Sequence, residues 1–195
     1  MSEFPFLTLE GDSFSRGYSH GDTLRQTISA GYEFYVSKLF ADQKMSLSEL
    51  ETYALAIRSI TQHYAPDCAN EIEGIAAGAG LEPWKIFLLN GRTEILNSKI
   101  AECTTIYFKQ HAILAQNWDW IENLEALSVI IHHRRSDGPD YITFSEAGMV
   151  GKIGMNQEGL GVGLNILFCP HQLSGLSTHI ACRDVLDATT LETAR

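Results

Sequence analysis

Four side chains in the second half of the sequence carry groups suited to acyl chemistry. Cys103 is a thiol where the chain changes character, within Ala101-Glu102-Cys103-Thr104-Thr105. A free cysteine at a strand start is most simply a small buried hydrophobe. As a thiolate it is a nucleophile. Asn117 and Asp119 follow in Gln116-Asn117-Trp118-Asp119-Trp120. Each can be turn chemistry at a strand end. If 104–108 and 112–117 pair as a hairpin, however, Asp119 returns close to the backbone of Cys103. Asn165 stands in an otherwise apolar, glycine-rich stretch, Gly159-Leu160-Gly161-Val162-Gly163-Leu164-Asn165. It reads either as a buried amide paired with backbone or as a donor to an oxyanion. The surrounding glycines would let a substrate or another backbone approach closely.

The elements that must hold these groups fall into two runs. Before residue 100 the pattern is helical: 19–40 carries Leu24, Ile28, Tyr32, Tyr35 and Leu39 at spacings of three and four. Ser46-Leu47-Ser48-Glu49 is a capping box for a helix to about Tyr64. A third helix is expected after Pro66 with Asp67 as its cap, ending at Gly78 and Gly80. A fourth should run from Pro83 through Leu96. From Cys103 the pattern turns to strands over 104–108, 112–117, 127–133, 141–146, 149–155 and 160–167, with a helix over 177–187. Helices followed by antiparallel strands imply an α+β fold with helices layered on a sheet. The sequence shows no repeat. Thr190 looks like the cap of a further helix, so a further C-terminal part is expected.

Composition narrows the function classes. The 195 residues are 45% hydrophobic and 19% charged, with a net charge of −10. That suits a globular domain and lacks the basic footprint of a nucleic-acid binder or the polybasic segment of a membrane-surface protein. No apolar run reaches the roughly 20 residues of a bilayer span, and the first residues carry no secretory pattern. A cytoplasmic or organellar setting is expected. The four cysteines, Cys68, Cys103, Cys169 and Cys182, have no zinc or redox spacing; acyl chemistry at a cysteine requires neither a metal nor an organic cofactor, and none is expected. His132-His133-Arg134-Arg135 reads as a solvated strand end, His20 as structural, and His171 and His179 lack a partner motif. Trp84, Trp118 and Trp120 read as core or pocket wall.

In order and spacing, Glu102-Cys103-Thr104-Thr105, Gln116-Asn117-Trp118-Asp119 and Gly154-Met155-Asn156-x-x-Gly159-Leu160…Leu164-Asn165 resemble the acyl-CoA:6-aminopenicillanate acyltransferase family. This is peptidase family C45, of the N-terminal nucleophile hydrolases. Upstream, Arg16-Gly17-Tyr18-x-His20-Gly21, Glu71-Ile72-x-Gly74-Ile75-Ala76-x-Gly78 and Leu89-Asn90-x-Arg92-x-Glu94 resemble it too. The resemblance implies a four-layer αββα sandwich, C-terminally incomplete here. It implies a single domain in which 1–102 is a mainly helical pro-segment and 103–195 the catalytic segment. It also implies that the chain cuts itself between Glu102 and Cys103 and that the two pieces stay associated. The freed amino group would then act as base, held by Asp119, with Asn165 as oxyanion donor and Asn117 in support. The substrate would be a small acyl amide or thioester, acyl-CoA among them, and a peroxisomal location would fit. Two features depart from relatives: Glu102 replaces the glycine that precedes the cysteine in the penicillin-forming enzyme, and Gln116 replaces an arginine of the bile-salt hydrolase branch. An inactive fragment, or an uncleaved relative that only binds an acylated ligand, is the rival reading.

Overall fold

The computed structural model describes residues 4–96, 103–119, 121–166 and 175–194. Its first helices are set by a backbone-to-backbone crossing. Helix α1 (Ser13–Thr23) carries Gly17 and Gly21, and α4 (Pro66–Ala79) carries Gly74 and Gly78. A Cβ added at Gly17 would lie 2.0 Å from the Glu71 carbonyl oxygen, and one at Gly21 would lie 2.1 Å from that of Ile75. Reciprocally, a Cβ at Gly74 would meet the Phe14 oxygen at 2.3 Å and one at Gly78 the Tyr18 oxygen at 2.2 Å. No larger residue allows this approach. Local chemistry fixes where the two helices begin. Asp12 accepts the Ser15 N–H at 2.8 Å to cap α1. Pro66 opens α4, and Gly80 closes it in the left-handed conformation.

The remaining helices are α2 (Arg25–Phe34), α3 (Leu47–Tyr64), α5 (Pro83–Asn90), α6 (Arg92–Leu96) and α7 (Thr178–Asp187). The Ser46–Glu49 capping box at α3 forms as expected. The single helix expected over 19–40 is instead α1 and α2, parted at Leu24, followed by a π-helical turn at Tyr35–Phe40. Leu24 packs against both apolar clusters of the core. The helix expected over 83–96 is parted at Gly91 into α5 and α6.

Five strands form one sheet in the order β1 (Phe6–Glu10), β4 (Ser128–Arg134), β5 (Tyr141–Glu146), β6 (Ile153–Asn156) and β7 (Gly161–Val162). β1 runs parallel to β4, and the other pairs are antiparallel. The helical reading of the first half missed β1, which ties that half directly into the sheet. Val129, Ile131, His133, Tyr141, Thr143 and Ser145 are buried on the helical side. Ile130, Ile142, Phe144 and Met155 turn the other way. They line an apolar groove of about 840 Å³ beneath a separate hairpin, β2 (Thr104–Phe108) and β3 (Ile113–Asn117). The expected α+β class is therefore what the structure shows, with a helical layer, a sheet, and a hairpin facing the sheet's second side.

Two strand expectations were too long. Residues 149–152 do not join the sheet: Met149 N–H donates to the Glu146 carbonyl in a turn at 3.1 Å, Val150 N–H to Asn90 Oδ1 at 3.0 Å and Lys152 N–H to Thr143 Oγ1 at 3.3 Å. The strand expected over 160–167 is short, β7 alone, and residue 167 lies outside the described residues. The solvated strand end expected at 132–135 holds for Arg134, which is exposed, and is corrected at His133 and Arg135. His133 is fully buried, stacked on Tyr141 at 4.2 Å, and Arg135 pairs with Asp137 and Asp187. Strand alternation turns His133 toward the helices, and Arg135, just past the end of β4, meets Asp187 on α7.

Because the contact is backbone on backbone, no side-chain rotation can relieve an added Cβ. Gly74→Ala should cost about 3 kcal/mol or more. That corresponds to melting roughly 6–12 °C lower for a chain of this size, read by thermal denaturation. An unchanged melting temperature would show that the helices can part without loss.

Candidate active site

Cys103 is half-buried and immediately precedes β2. The β2–β3 register pairs Thr104 with Asn117 and Thr105 with Gln116. Asn117 is thus opposite the residue next to Cys103, and Asp119 lies two residues further on. Both are exposed. The hairpin reading of these strands therefore holds, and the site is built from its two ends.

Asn165 reaches the same hairpin from the third segment. Thr105 Oγ1 donates to Asn165 Oδ1 at 2.8 Å. Gln116 lies against the chain like a short strand: its Nε2 donates to the Leu164 carbonyl at 2.6 Å and its Oε1 accepts the Leu164 N–H at 2.8 Å. A Cβ on Gly163 would lie 2.8 Å from Thr105 Cγ2 and 3.0 Å from Gln116 Oε1, so the glycine permits the approach. The burial expected of Asn165 is not found. It is exposed, and its carbonyl oxygen is satisfied by a hydroxyl rather than by backbone. Two carboxamide contacts and one hydroxyl thus dock the segment 163–165 onto the hairpin that Cys103 opens.

Beneath the hairpin lies a buried charged cluster. Glu146 sits at the end of β5 with its side chain about 1% exposed. Its Oε2 accepts the Tyr35 hydroxyl at 2.6 Å, and its Oε1 takes both Arg92 Nη2 and Lys152 Nζ, the latter at 3.2 Å. Burial alone would raise the Glu146 pKa. The Arg92 and Lys152 cations and the Tyr35 bond outweigh it and hold the carboxyl below its usual range. Lys152 Nζ also lies 3.0 Å from the centroid of the Trp118 ring, one residue beyond Asn117.

The family model described as acyl-coenzyme A:6-aminopenicillanic acid acyl-transferase matches residues 108–195. The chain is also 32% identical over 194 residues to the acyl-coenzyme A:6-aminopenicillanic-acid-acyltransferase 40 kDa form of Emericella nidulans, with 94% of this chain covered. Over these spans the chain is similar to this acyltransferase family. It spans about half the length of that relative, 53% of it.

The structure gives the upstream motifs that resemble the family a physical basis. In Leu89-Asn90-x-Arg92-x-Glu94, Asn90 Nδ2 donates to the Gly148 carbonyl at 2.9 Å and its own carbonyl accepts Ser177 Oγ at 2.9 Å. Arg92 is the partner of Glu146. Glu94 accepts Thr178 N–H at 2.7 Å and Thr178 Oγ1 at 2.6 Å, anchoring the start of α7. In Arg16-Gly17-Tyr18-x-His20-Gly21, Arg16 pairs with buried Glu71 and His20 Nε2 accepts the Gly148 N–H at 3.0 Å. His20 is therefore structural, as its sequence setting suggested, and His179 bonds Thr93 Oγ1 at 3.0 Å. Cys68 and Cys182 are buried free thiols. Glu102, Trp120, Cys169 and His171 lie outside the described residues. Among the described residues, no group of three His, Cys, Asp or Glu side chains converges.

Sequence reasoning missed Thr105, Lys152 and Glu146. A lone Lys or Glu in a strand-like run reads as surface, and only the fold shows these two buried together. Gln116 was noticed as a family departure, without its docking contact.

Burial holds His20 neutral, with its pKa pulled down to about 4, and holds His133 and His179 well below the usual value. The unfolded chain therefore binds more protons than the folded one as pH falls below about 6.5. Stability present at neutral pH is lost through that window, with His20 alone contributing roughly 3 kcal/mol. Melting temperatures should fall steeply between pH 6.5 and 4. His20→Gln, whose amide oxygen can accept the Gly148 bond, should flatten part of the slope. A His20 resonance titrating near 6.5 in the folded protein would contradict this.

Proposed function

We propose that Cys103 is the nucleophile of an enzyme that hydrolyses acyl amides or transfers acyl groups through a thioester, after cutting its own chain at Glu102–Cys103. The observation that carries this reading is the docking of three separate segments at one hairpin. Its first strand begins after Cys103, its second ends in Asn117 ahead of Asp119, and Asn165 is bonded to it through Thr105.

In the proposed self-processing step, Cys103 Sγ attacks the Glu102 carbonyl carbon. The peptide C–N bond breaks, and a thioester and the amino group of Cys103 result. Water then hydrolyses the thioester, releasing the Glu102 carboxylate and restoring the thiol. The new α-amino group, with an ordinary pKa near 8, is suited to accept the thiol proton in the next acyl transfer. No histidine is needed. Asp119 would hold that amino group by a charge-assisted hydrogen bond. The Asn165 amide N–H would donate to the tetrahedral oxyanion, with its oxygen already fixed by Thr105. Asn117 would support the strand end opposite. The two pieces would stay together because β1 and the helices pack on the sheet of the second piece. The relative's name points to acyl-coenzyme A as donor and 6-aminopenicillanic acid as acceptor. We extend to this chain the coarser class, a small acyl thioester or amide.

Incubation with an acyl-coenzyme A should add one acyl mass to the peptide that contains Cys103, in a form released by hydroxylamine. Cys103→Ala should abolish the adduct and lower turnover by at least about 10³-fold. Asn165→Ala should keep the adduct but slow turnover by about 10²–10³-fold. Equal labelling of the Cys103→Ala variant would refute the assignment.

A further inference from the structure

We propose that the cavity walled by Phe4, Trp118 and Phe144 is a subsite for a small organic ammonium group carried by the substrate. This rests on the reading of Cys103 as nucleophile and names a substrate feature which that reading leaves open, a positive charge beside the acyl group.

The cavity measures about 250 Å³. Phe144 and Ser128 reach it from the sheet, Trp118 from the end of the hairpin and Phe4 from the residues ahead of β1. Glu122 and Glu125 line it from the helical turn Glu122–Leu127 that leads into β4. Three rings form the wall. The Phe4 and Phe144 centroids are 5.0 Å apart and those of Trp118 and Phe144 5.5 Å, both pairs meeting at steep angles rather than stacking. Aromatic faces attract cations electrostatically. Trp118 lies between Asn117 and Asp119, and Asn117 pairs with Thr104, next to Cys103. A group bound here is therefore at the end of the hairpin that Cys103 opens.

The polar groups point to the same ligand. Ser128 is only 5% exposed. Strand alternation turns it to the side of Ile130 and Phe144, into the cavity, and its hydroxyl has no hydrogen-bond partner among the described residues. Buried hydroxyls normally find a partner, and this oxygen can accept an N–H from a ligand. Glu122 and Glu125 are both exposed. Two carboxylates repel an anion and draw in a cation. A neutral apolar ligand would use the rings and leave the hydroxyl unanswered. Lys152 Nζ already lies 3.0 Å from the Trp118 centroid. Glu146 answers that charge at 3.2 Å, shared with Arg92, and the two mouth carboxylates add negative charge on the open side. The ammonium of a ligand is left the Phe4 and Phe144 rings and the part of Trp118 that Lys152 does not cover.

The test is calorimetric titration of the full chain with benzylammonium chloride and, separately, with benzyl alcohol, which has the same ring and no charge. Benzylammonium should bind saturably, at least about tenfold more tightly than the alcohol. Phe4→Ala and Glu122→Gln should each weaken it roughly two- to fivefold. Ser128→Ala should weaken it by a similar factor. Each variant is checked for folding by thermal denaturation. Absence of saturable benzylammonium binding would overturn the proposal, as would equal affinity for the alcohol. So would binding that none of the three substitutions alters, since the probe would then sit elsewhere. Failure of the underlying reading looks different. If the Cys103 acyl adduct forms and benzylammonium does not bind, the subsite alone falls; if benzylammonium binds as stated and no adduct forms, the nucleophile falls and the cation site stands.

Discussion

Helices α1 and α4 touch through bare backbone, and the rest of the molecule is hung on that contact. With the four glycines in register, Arg16 lies against Glu71 inside the crossing. Glu71 also accepts Arg183 from α7 at 3.1 Å and lies 3.5 Å from His133 on β4. A carboxylate buried among cations is stable only while its partners hold their places, and removing one would cost several kcal/mol. One ion cluster thereby locks two helices of the first half to a strand and a helix of the second. His20, one turn along α1, reaches the Gly148 turn, which Asn90 grips from the other side.

The second buried carboxylate, Glu146, transmits this order toward the site. It collects Tyr35, Arg92 and Lys152 from three different stretches of chain, and Lys152 carries the contact to Trp118 at the end of the hairpin. The hairpin itself is outside the helical core. Ile106, Tyr107, Phe108, Ile113 and Leu114 are exposed, and the apolar groove lies between it and the sheet. What fixes it on this side is polar: the Gln116 clamp on Leu164, the Thr105–Asn165 bond and the ring over Lys152. The proposed site residues Asn117 and Asn165 thus lie on or against an element held on this side by a handful of polar contacts, while the ion-paired scaffold beneath is buried.

Much of this was legible in the sequence. Hairpin periodicity around Lys109-Gln110-His111 placed Asn117 and Asp119 at the end that Cys103 begins, and the Ser46–Glu49 box marked α3. The glycine-bearing motifs were visible as a family resemblance, but not as a helix crossing, because close approach depends on which two helices meet. β1 was missed, since five residues pairing with a strand more than 100 positions away carry little local signal. His133 and Arg135 read as solvent-facing, and Lys152 and Glu146 drew no reading at all, because a charged residue in a short strand defaults to surface. Their burial follows from partners supplied by distant segments. Asn165 erred in the other direction: its apolar neighbours suggested burial, yet the side chain is exposed and meets a hydroxyl.

The proposed use of Cys103 depends on a peptide bond that must break before the base exists. Intact-mass measurement of the purified chain over a long incubation tests this most directly. Self-processing predicts that the 21.7 kDa species gives way to two pieces dividing between Glu102 and Cys103, the second beginning with cysteine, and that Cys103→Ala stays whole. A wild-type chain that persists as one uncut species would contradict it.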